Sequence, residues 1–304
     1  MCCKTLQHTP NSRKNLRPAD VGADTTDARA IDNRPYEFYR MLFERNTMEK
    51  YDIILQAGQS NADGYGHGPA EHPYVPDCRI CYLTAGVPEA GAYYPKGDYQ
   101  ISVAAERPNP AFGPEDRLGD FSLSFAQRYV QAGLLAPDRK LLIVRAAVGG
   151  TGFLKHYWSV GDPLYERMLR MVDYALSLHG ENRLVGFLWH QGEHEAAFLN
   201  DPQRYHDQLL KVVESVKERY GKPDLPFVCG GFCAQWAQEN QPACDRIMAV
   251  IRKAAEKVGG LYVETADLRS NDQKTGDGDT IHFCREDLQE LGHRYYTAYA
   301  YLIK

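Results

Sequence analysis

The sequence predicts an α/β fold: a three-layer α/β/α sandwich around a central parallel sheet of about five strands. Three observations predict it. Five short runs are almost continuously apolar, as strands buried on both faces of a parallel sheet must be. Amphipathic helical patterns alternate with them. Four of the runs open directly into glycine-rich or polar residues, and in a parallel sheet all those ends lie on one rim.

The runs are YDIILQ (51–56), KLLIVRAAV (140–148), RLVGFLWH (183–190), PFVCGGF (226–232) and LYVETA (261–266). FSLSFAQRYVQAG precedes the second run as a helix. DPLYERMLRMVDYALSL precedes the third, with Pro163 near its start, where a missing N–H costs nothing. PQRYHDQLLKVVESVKERYG precedes the fourth and ends on Gly221, a good C-cap. ACDRIMAVIRKAAEKVGG precedes the fifth, and REDLQELGHRYYTAYAYLIK closes the chain. The Pro-, Gly- and Tyr-rich stretch from Gly66 to Asp120 breaks this rhythm. It is expected to be an irregular insertion walling a cleft beyond the first strand, or a surface decoration.

Residues 1–47 carry no sustained period apart from PYEFYRMLFER, which suits a short helix. They read either as a disordered tail or as a mis-called start. Met48 leads at once into the first strand, and Glu44-Arg45 can be encoded by a purine-rich run of the kind that binds bacterial ribosomes. The domain of interest is then 48–304.

The chain has 304 residues, 43% hydrophobic and 25% charged, with a net charge of -5. These values suit one soluble domain and give no basic block for nucleic acid. No run is long enough to span a membrane. No apolar signal core follows Met1, so a cytoplasmic location is expected, with the eight cysteines as thiols. Cys78 and Cys81 form a CxxC without a second pair, open to a metal or redox reading, and Cys229 reads as packing.

Chemistry concentrates at the ends of the runs. The first leads into GQSN with Ser60, the second into AAVGGTG with Gly149, Gly150 and Gly152, the third into WHQGEHE with Gln191 and Glu193. After the fifth comes GDGDTIHF, with Asp279 and His282. A serine hydroxyl needs a base to become a nucleophile. His282 is the candidate base, and Asp279, three residues earlier, the candidate partner that fixes its tautomer. Oxyanion donors are available in the Ser60 N–H, an N–H of the Gly149–Gly150 pair and the Gln191 amide. Glu193 competes with Asp279 for His282, or braces the Ser60 turn through backbone N–H groups.

GQSN, AAVGGTG, WHQGE and D-x-x-H-F in this order resemble the SGNH hydrolases, a flavodoxin-like fold. More narrowly they resemble the sialate O-acetylesterase-like group that includes carbohydrate esterase family six. The resemblance runs from Tyr51 to the C-terminus. It implies a serine esterase that removes O-acetyl groups from carbohydrates and needs no metal or cofactor. It implies Ser60 as nucleophile, His282 as base, Asp279 as its acid partner, and Gln191 with the Gly149–Gly150 pair as oxyanion donors. The implied partner is a small acetylated carbohydrate, with no nucleic acid or membrane. The chain departs from the family in having Ala62 and Asp63 where methionine commonly follows GQSN.

Three other readings stay open. His190, Glu193 and His194 fit the H-x-x-E-H pattern of a zinc hydrolase, although Gly192 opposes a helix there. Gly58-Gln59-Ser60-Asn61-Ala62 lacks the last glycine of an α/β-hydrolase elbow. The third is an inactive carbohydrate-binding protein of the same fold; in it or in an enzyme, Tyr93, Tyr94 and Trp158 are candidates either to stack on sugar rings or to cover the core. His67 reads as an exposed loop histidine or a cleft wall.

Overall fold

A computed structural model describes residues 49–85, 98–154, 156–198 and 201–304. The expected helix over 35–45, the alternative start at Met48, and Tyr93 and Tyr94 lie outside them.

The described residues open with β1 (Lys50–Gly58) and a single helical turn, α1 (Ser60–Asp63). Strands β2 (Ile80–Ala85) and β3 (Tyr99–Val103) follow, then a two-stranded ribbon of β4 (Arg107–Pro108) and β5 (Arg117–Leu118). Helix α2 (Phe121–Gln131) leads to β6 (Arg139–Arg145), and α3 (Pro163–Ser177) to β7 (Arg183–His190). The short α4 (Glu193–Phe198) and long α5 (Pro202–Arg219) precede β8 (Phe227–Gly230). Helices α6 (Ala234–Glu239) and α7 (Ala243–Lys257) precede β9 (Leu261–Val263). The one-turn α8 (Asn271–Thr275) and α9 (Arg285–Leu302) complete the described chain.

The sheet has seven strands in the order β3-β2-β6-β1-β7-β8-β9. The five expected strands form its contiguous parallel part, β6-β1-β7-β8-β9. The other two correct the expectation of about five strands. β2 pairs parallel with β6, and β3 closes that edge antiparallel. Both come from the stretch expected to be irregular. Its ICYLTA run buries its first four residues, a signal masked by the Pro- and Gly-rich sequence around it.

Alternation along the strands feeds two cores. Ile53, Leu55, Leu142 and Val144 pack with α3, α5 and α7, while Ile54, Leu141 and Ile143 pack with α2 and α9. These are the two outer layers of the sandwich. Pro163 stands at the start of α3, and Gly221 (φ 60) follows the end of α5. Cys81 faces the core from β2, where burial pushes its thiol up to about 11, and Cys78 is exposed before it. Among the described residues no helix is long and apolar enough to cross a membrane.

The order also positions the site. From β1 the chain leaves to β2, returns to β6 on one side of β1, then crosses to β7 on the other. The carboxyl end of β1 is therefore a topological switch point, the usual ligand crevice of such sheets.

Candidate active site

Ser60 stands at that switch point because the chain there is pressed onto β7. Gly58 has φ 132, and a Cβ on it would lie 2.0 Å from the His190 carbonyl oxygen. Only glycine fits that approach. The Gln59 N–H then donates to the same carbonyl at 3.0 Å. The α1 turn closes through Asp63 N–H to Gln59 O (2.7 Å) and Gly64 N–H to Ser60 O (2.9 Å). Those bonds leave the Ser60 N–H, first in the turn, without an intrahelical acceptor. Beneath it, Gln56 Nε2 donates to Ala62 O at 2.6 Å and to Asp120 Oδ1 at 2.7 Å. Arg145 pairs with Asp63 at 2.9 Å, so the residue that departs from the family pattern ties the turn to β6. Ala62 is fully buried under the turn, and Ser60 is only 6% exposed.

The His282 loop is built around α8. A capping box starts that helix: Ser270 Oγ accepts from Gln273 N–H, and Gln273 Oε1 from Ser270 N–H, both at 2.9 Å. Asp279 Oδ2 then lies 2.8 Å from His282 Nδ1, and Oδ1 lies 3.0 Å away. Asn271 Nδ2 donates to Asp279 Oδ2 at 2.8 Å and to Tyr65 O at 3.1 Å, joining this loop to the segment after Ser60. Burial pushes the Asp279 carboxyl up. The hydrogen bond and charge of His282, with the Asn271 amide, outweigh it and hold the group below the usual range.

The glycine loop after β6 meets Ser60 at Gly149. A Cβ on Gly149 would lie 3.6 Å from Ser60 Cβ and 3.2 Å from the Tyr65 hydroxyl. The Tyr65 ring stacks on His282, with centroids 5.3 Å apart at 24°. Gly149 thus neighbours both Ser60 and Tyr65, and Tyr65 in turn neighbours His282. Gly150, in the left-handed region at φ 71, turns its Cβ side to open space.

Gln191 is buried beside them, but its amide is engaged. Nε2 donates to Glu195 Oε2, and also reaches Gln59 Oε1 at 3.2 Å and Thr151 O at 3.4 Å. Two hydrogens thus face three acceptors. Glu195 Oε1 receives the N–H of Phe153 and of Leu154, and a Cβ on Gly152 would collide with that oxygen at 2.2 Å. Glu195 therefore holds the glycine loop, which explains Gly152.

Glu193 does not touch His282 Nδ1. It is fully buried, and its Oε1 accepts from Asn61 Nδ2 at 2.8 Å. It braces the Ser60 turn through that side chain rather than through backbone N–H groups. Burial pushes its carboxyl up, against the smaller opposing effect of Asn61.

The zinc reading meets a different geometry. His190 is the last residue of β7, whereas Glu193 and His194 begin α4, so the two histidines do not share a helix face. Burial pushes His190 down to about 3, and its Nδ1 lies 2.9 Å from the Tyr295 hydroxyl. Among the described residues no group of three or more His, Cys, Asp or Glu is arranged to hold a metal ion. Trp158 is not a sugar platform: it is fully buried, with Nε1 donating to Thr151 Oγ1 at 2.8 Å. His67 is also buried, its Nε2 2.9 Å from Asp277 and its ring stacked on Phe112.

Tyr65, Glu195 and Asn271 escape a sequence reading. For Asn271 the S-x-x-Q of Ser270–Gln273 signals the helix that carries it, as a capping box, but not its partners. For Glu195 the hint was a second acid in HQGEHE. Tyr65 offered none.

Comparison with known proteins adds the family. Residues 50–301 match the family described as carbohydrate esterase, sialic acid-specific acetylesterase. A probable 9-O-acetyl-N-acetylneuraminic acid deacetylase of Escherichia coli is 23% identical, over 63% of this chain and 70% of that protein. A probable carbohydrate esterase of Arabidopsis thaliana is 29% identical over 86 residues, 28% of this chain; the match spans 32% of that relative's length. Among solved structures, NanS superposes with a TM-score of 0.65 at 17% identity, covering 84% of this chain and 98% of its own. An Arabidopsis thaliana protein superposes with a TM-score of 0.61 at 18% identity, covering 82% and 98%. At these identities the superpositions establish a shared fold.

Proposed function

The chain belongs to the carbohydrate esterase family of sialic acid-specific acetylesterases, and we propose that it is a serine esterase releasing acetate from O-acetylated sugars of the sialic acid class. The catalytic domain is residues 48–304, a boundary supported by the family match over 50–301.

Ser60 Oγ attacks the acetyl carbonyl while His282 takes its proton. Asp279, bonded to Nδ1, keeps Nε2 free to accept and stabilises the imidazolium. The Ser60 and Gly149 N–H groups stabilise the oxyanion; each such donor is worth about 3 kcal/mol. Collapse returns the proton to the sugar oxygen and leaves acetyl-Ser60. Water, deprotonated by His282, attacks the acetyl group, and Ser60 departs with that proton as acetate is released. Gln191 supports the glycine loop through Glu195, and Gly150 shapes its turn. No step draws on a metal or cofactor.

One observation carries this reading. Gly149 abuts both Ser60 and the Tyr65 hydroxyl, and the Tyr65 ring stacks on His282. We also assign the enzyme to the cytoplasm, acting on small acetylated sugars.

The test is hydrolysis of p-nitrophenyl acetate and of 9-O-acetylated sialic acid by the wild type and Ser60→Ala, with EDTA present. We expect turnover that survives EDTA and falls about 10³-fold or more in the variant. Equal turnover in the two proteins removes Ser60 as nucleophile. Hydrolysis of acetylated xylo-oligosaccharides in preference to the sialic acid ester overturns the substrate class.

A further inference from the structure

We infer that Asn61 is a positioning residue that sets the His282 loop against Ser60, with Glu193 as its anchor. The inference rests on Ser60 as nucleophile and His282 as base.

The two reacting side chains come from segments more than 200 residues apart, so tertiary contacts alone set their spacing. Asn61 is next to Ser60 and fully buried. Its Oδ1 accepts from the Phe283 N–H at 3.2 Å, and its Nδ2 donates to Ile281 O at 3.1 Å. Those are the two neighbours of His282. The carboxamide thus meets the His282 loop as a peptide group of an adjacent strand would, exchanging one bond in each direction. The second Nδ2 hydrogen goes to Glu193 Oε1 at 2.8 Å.

With both amide hydrogens and the oxygen engaged, the side chain can neither flip nor rotate without losing a bond. A carboxylate of the same shape cannot replace it, because it has no hydrogen for Ile281 O or Glu193. Glu193 is explained in the same terms. A fully buried carboxyl whose Oε2 has no hydrogen-bond partner among the described residues is costly to keep. Here it fixes the amide orientation. It also links the Ser60 turn and the His282 loop to the end of β7. His282 and Asp279 share one loop, so Asn61 governs where that pair stands, not how the two meet.

The test is the rate at which diisopropyl fluorophosphate labels Ser60, read by intact mass and peptide mapping. Parallel kcat–pH profiles on p-nitrophenyl acetate complete it. Asn61→Ala should be labelled on Ser60 to full stoichiometry but about 10²-fold more slowly, the cost of a displacement near 1 Å. The midpoint of its acid limb should match the wild type. Asn61→Asp, of the same shape, should also be slow. Adding Glu193→Gln returns a donor to the pair and should recover about tenfold, the worth of one hydrogen bond. Wild-type labelling rates in Asn61→Ala or Asn61→Asp overturn the inference, as does a loss that lies wholly in the number of molecules labelled. Wild-type protein left unlabelled at Ser60 overturns the nucleophile assignment itself, a distinct result that takes the inference with it.

Discussion

His282 Nδ1 lies 2.8 Å from Asp279 Oδ2, three residues earlier on the same loop, while Glu193 gives its Oε1 to Asn61. Two carboxyl groups near one site thus have separate jobs. Asp279→Asn removes the charge that stabilises the imidazolium and weakens the choice of tautomer. Its kcat on p-nitrophenyl acetate should fall by roughly 10²- to 10⁴-fold. Glu193→Gln keeps an oxygen for Asn61 and should lose less than about tenfold, within one hydrogen bond. Steady-state kinetics of both variants at pH 8 decide it. The reverse ranking would give Glu193 the role of acid partner.

Two buried carboxyl groups, Glu193 and Asp52, predict opposite pH dependences of stability. Burial raises the folded pKa of Glu193, so the folded state holds its proton where the unfolded chain has lost it. Stability from this group therefore declines as pH rises from about 4.3, the unfolded value, toward the folded pKa. Asp52 is the contrary case. Burial pushes it up, but hydrogen bonds from Arg183, Tyr129 and Arg139 outweigh that and hold it low. Its contribution is complete above about pH 3.9 and is lost as pH falls through the folded value. In urea unfolding, Glu193→Gln should gain on the wild type as pH rises from 4 to 7. Asp52→Asn should cost about 3 kcal/mol at pH 7, as expected for a broken buried ion pair, and progressively less toward pH 3. A gap between Glu193→Gln and the wild type that stays constant with pH would contradict the raised pKa.

Gly149 and Gly150 separate into a site residue and a turn residue. At Gly149 an added Cβ enters the space shared by Tyr65 and Ser60, at 3.2 and 3.6 Å. At Gly150 it meets nothing within 4 Å, but φ 71 is strained for any L side chain. Gly149→Ala should therefore lower kcat/KM about tenfold or more by crowding the acyl position, with little change in Tm. Gly150→Ala should lower stability by about 1 kcal/mol with activity largely kept. Paired melting curves and kinetics test the split, and matching profiles for the two variants would refute it.

The legible parts of this fold share a property: their signal is local. β1, β6, β7, β8 and β9 are apolar runs, and the motifs after β1, β6 and β7 follow their runs directly, whereas Asp279 and His282 come only after α8. β2 was hidden because six strand residues sit between proline- and glycine-rich segments. Trp158 is open from sequence to sugar stacking or to core packing, and the fold decides for the core, against Trp189 with ring centroids 5.4 Å apart. Asn61 and Asn271 illustrate the deeper limit. Each carboxamide has partners more than 200 residues away, and no periodicity or cap pattern records such a pairing.

Tyr65 is the exposed ring of the candidate site. It is 37% exposed, lies on the His282 ring, and brings its hydroxyl to Gly149. The Arg107 guanidinium sits 5.6 Å from its ring centroid and donates to Asp63 O and Gly64 O, so the ring is held at the mouth of the turn. Ring and hydroxyl should separate in their effects. The stack limits tilting of the imidazole, and contacts of this kind are worth about 1 kcal/mol. Tyr65→Ala should therefore lower kcat roughly five- to tenfold on p-nitrophenyl acetate and on an acetylated sugar alike. Tyr65→Phe keeps the stack and should match the wild type on p-nitrophenyl acetate. On the sugar ester it should raise KM by about fivefold, the loss of one neutral hydrogen bond to substrate. Were Tyr65→Phe as slow as Tyr65→Ala on both esters, the hydroxyl rather than the ring would be the part that matters, and its place beside Gly149 would make it an oxyanion donor.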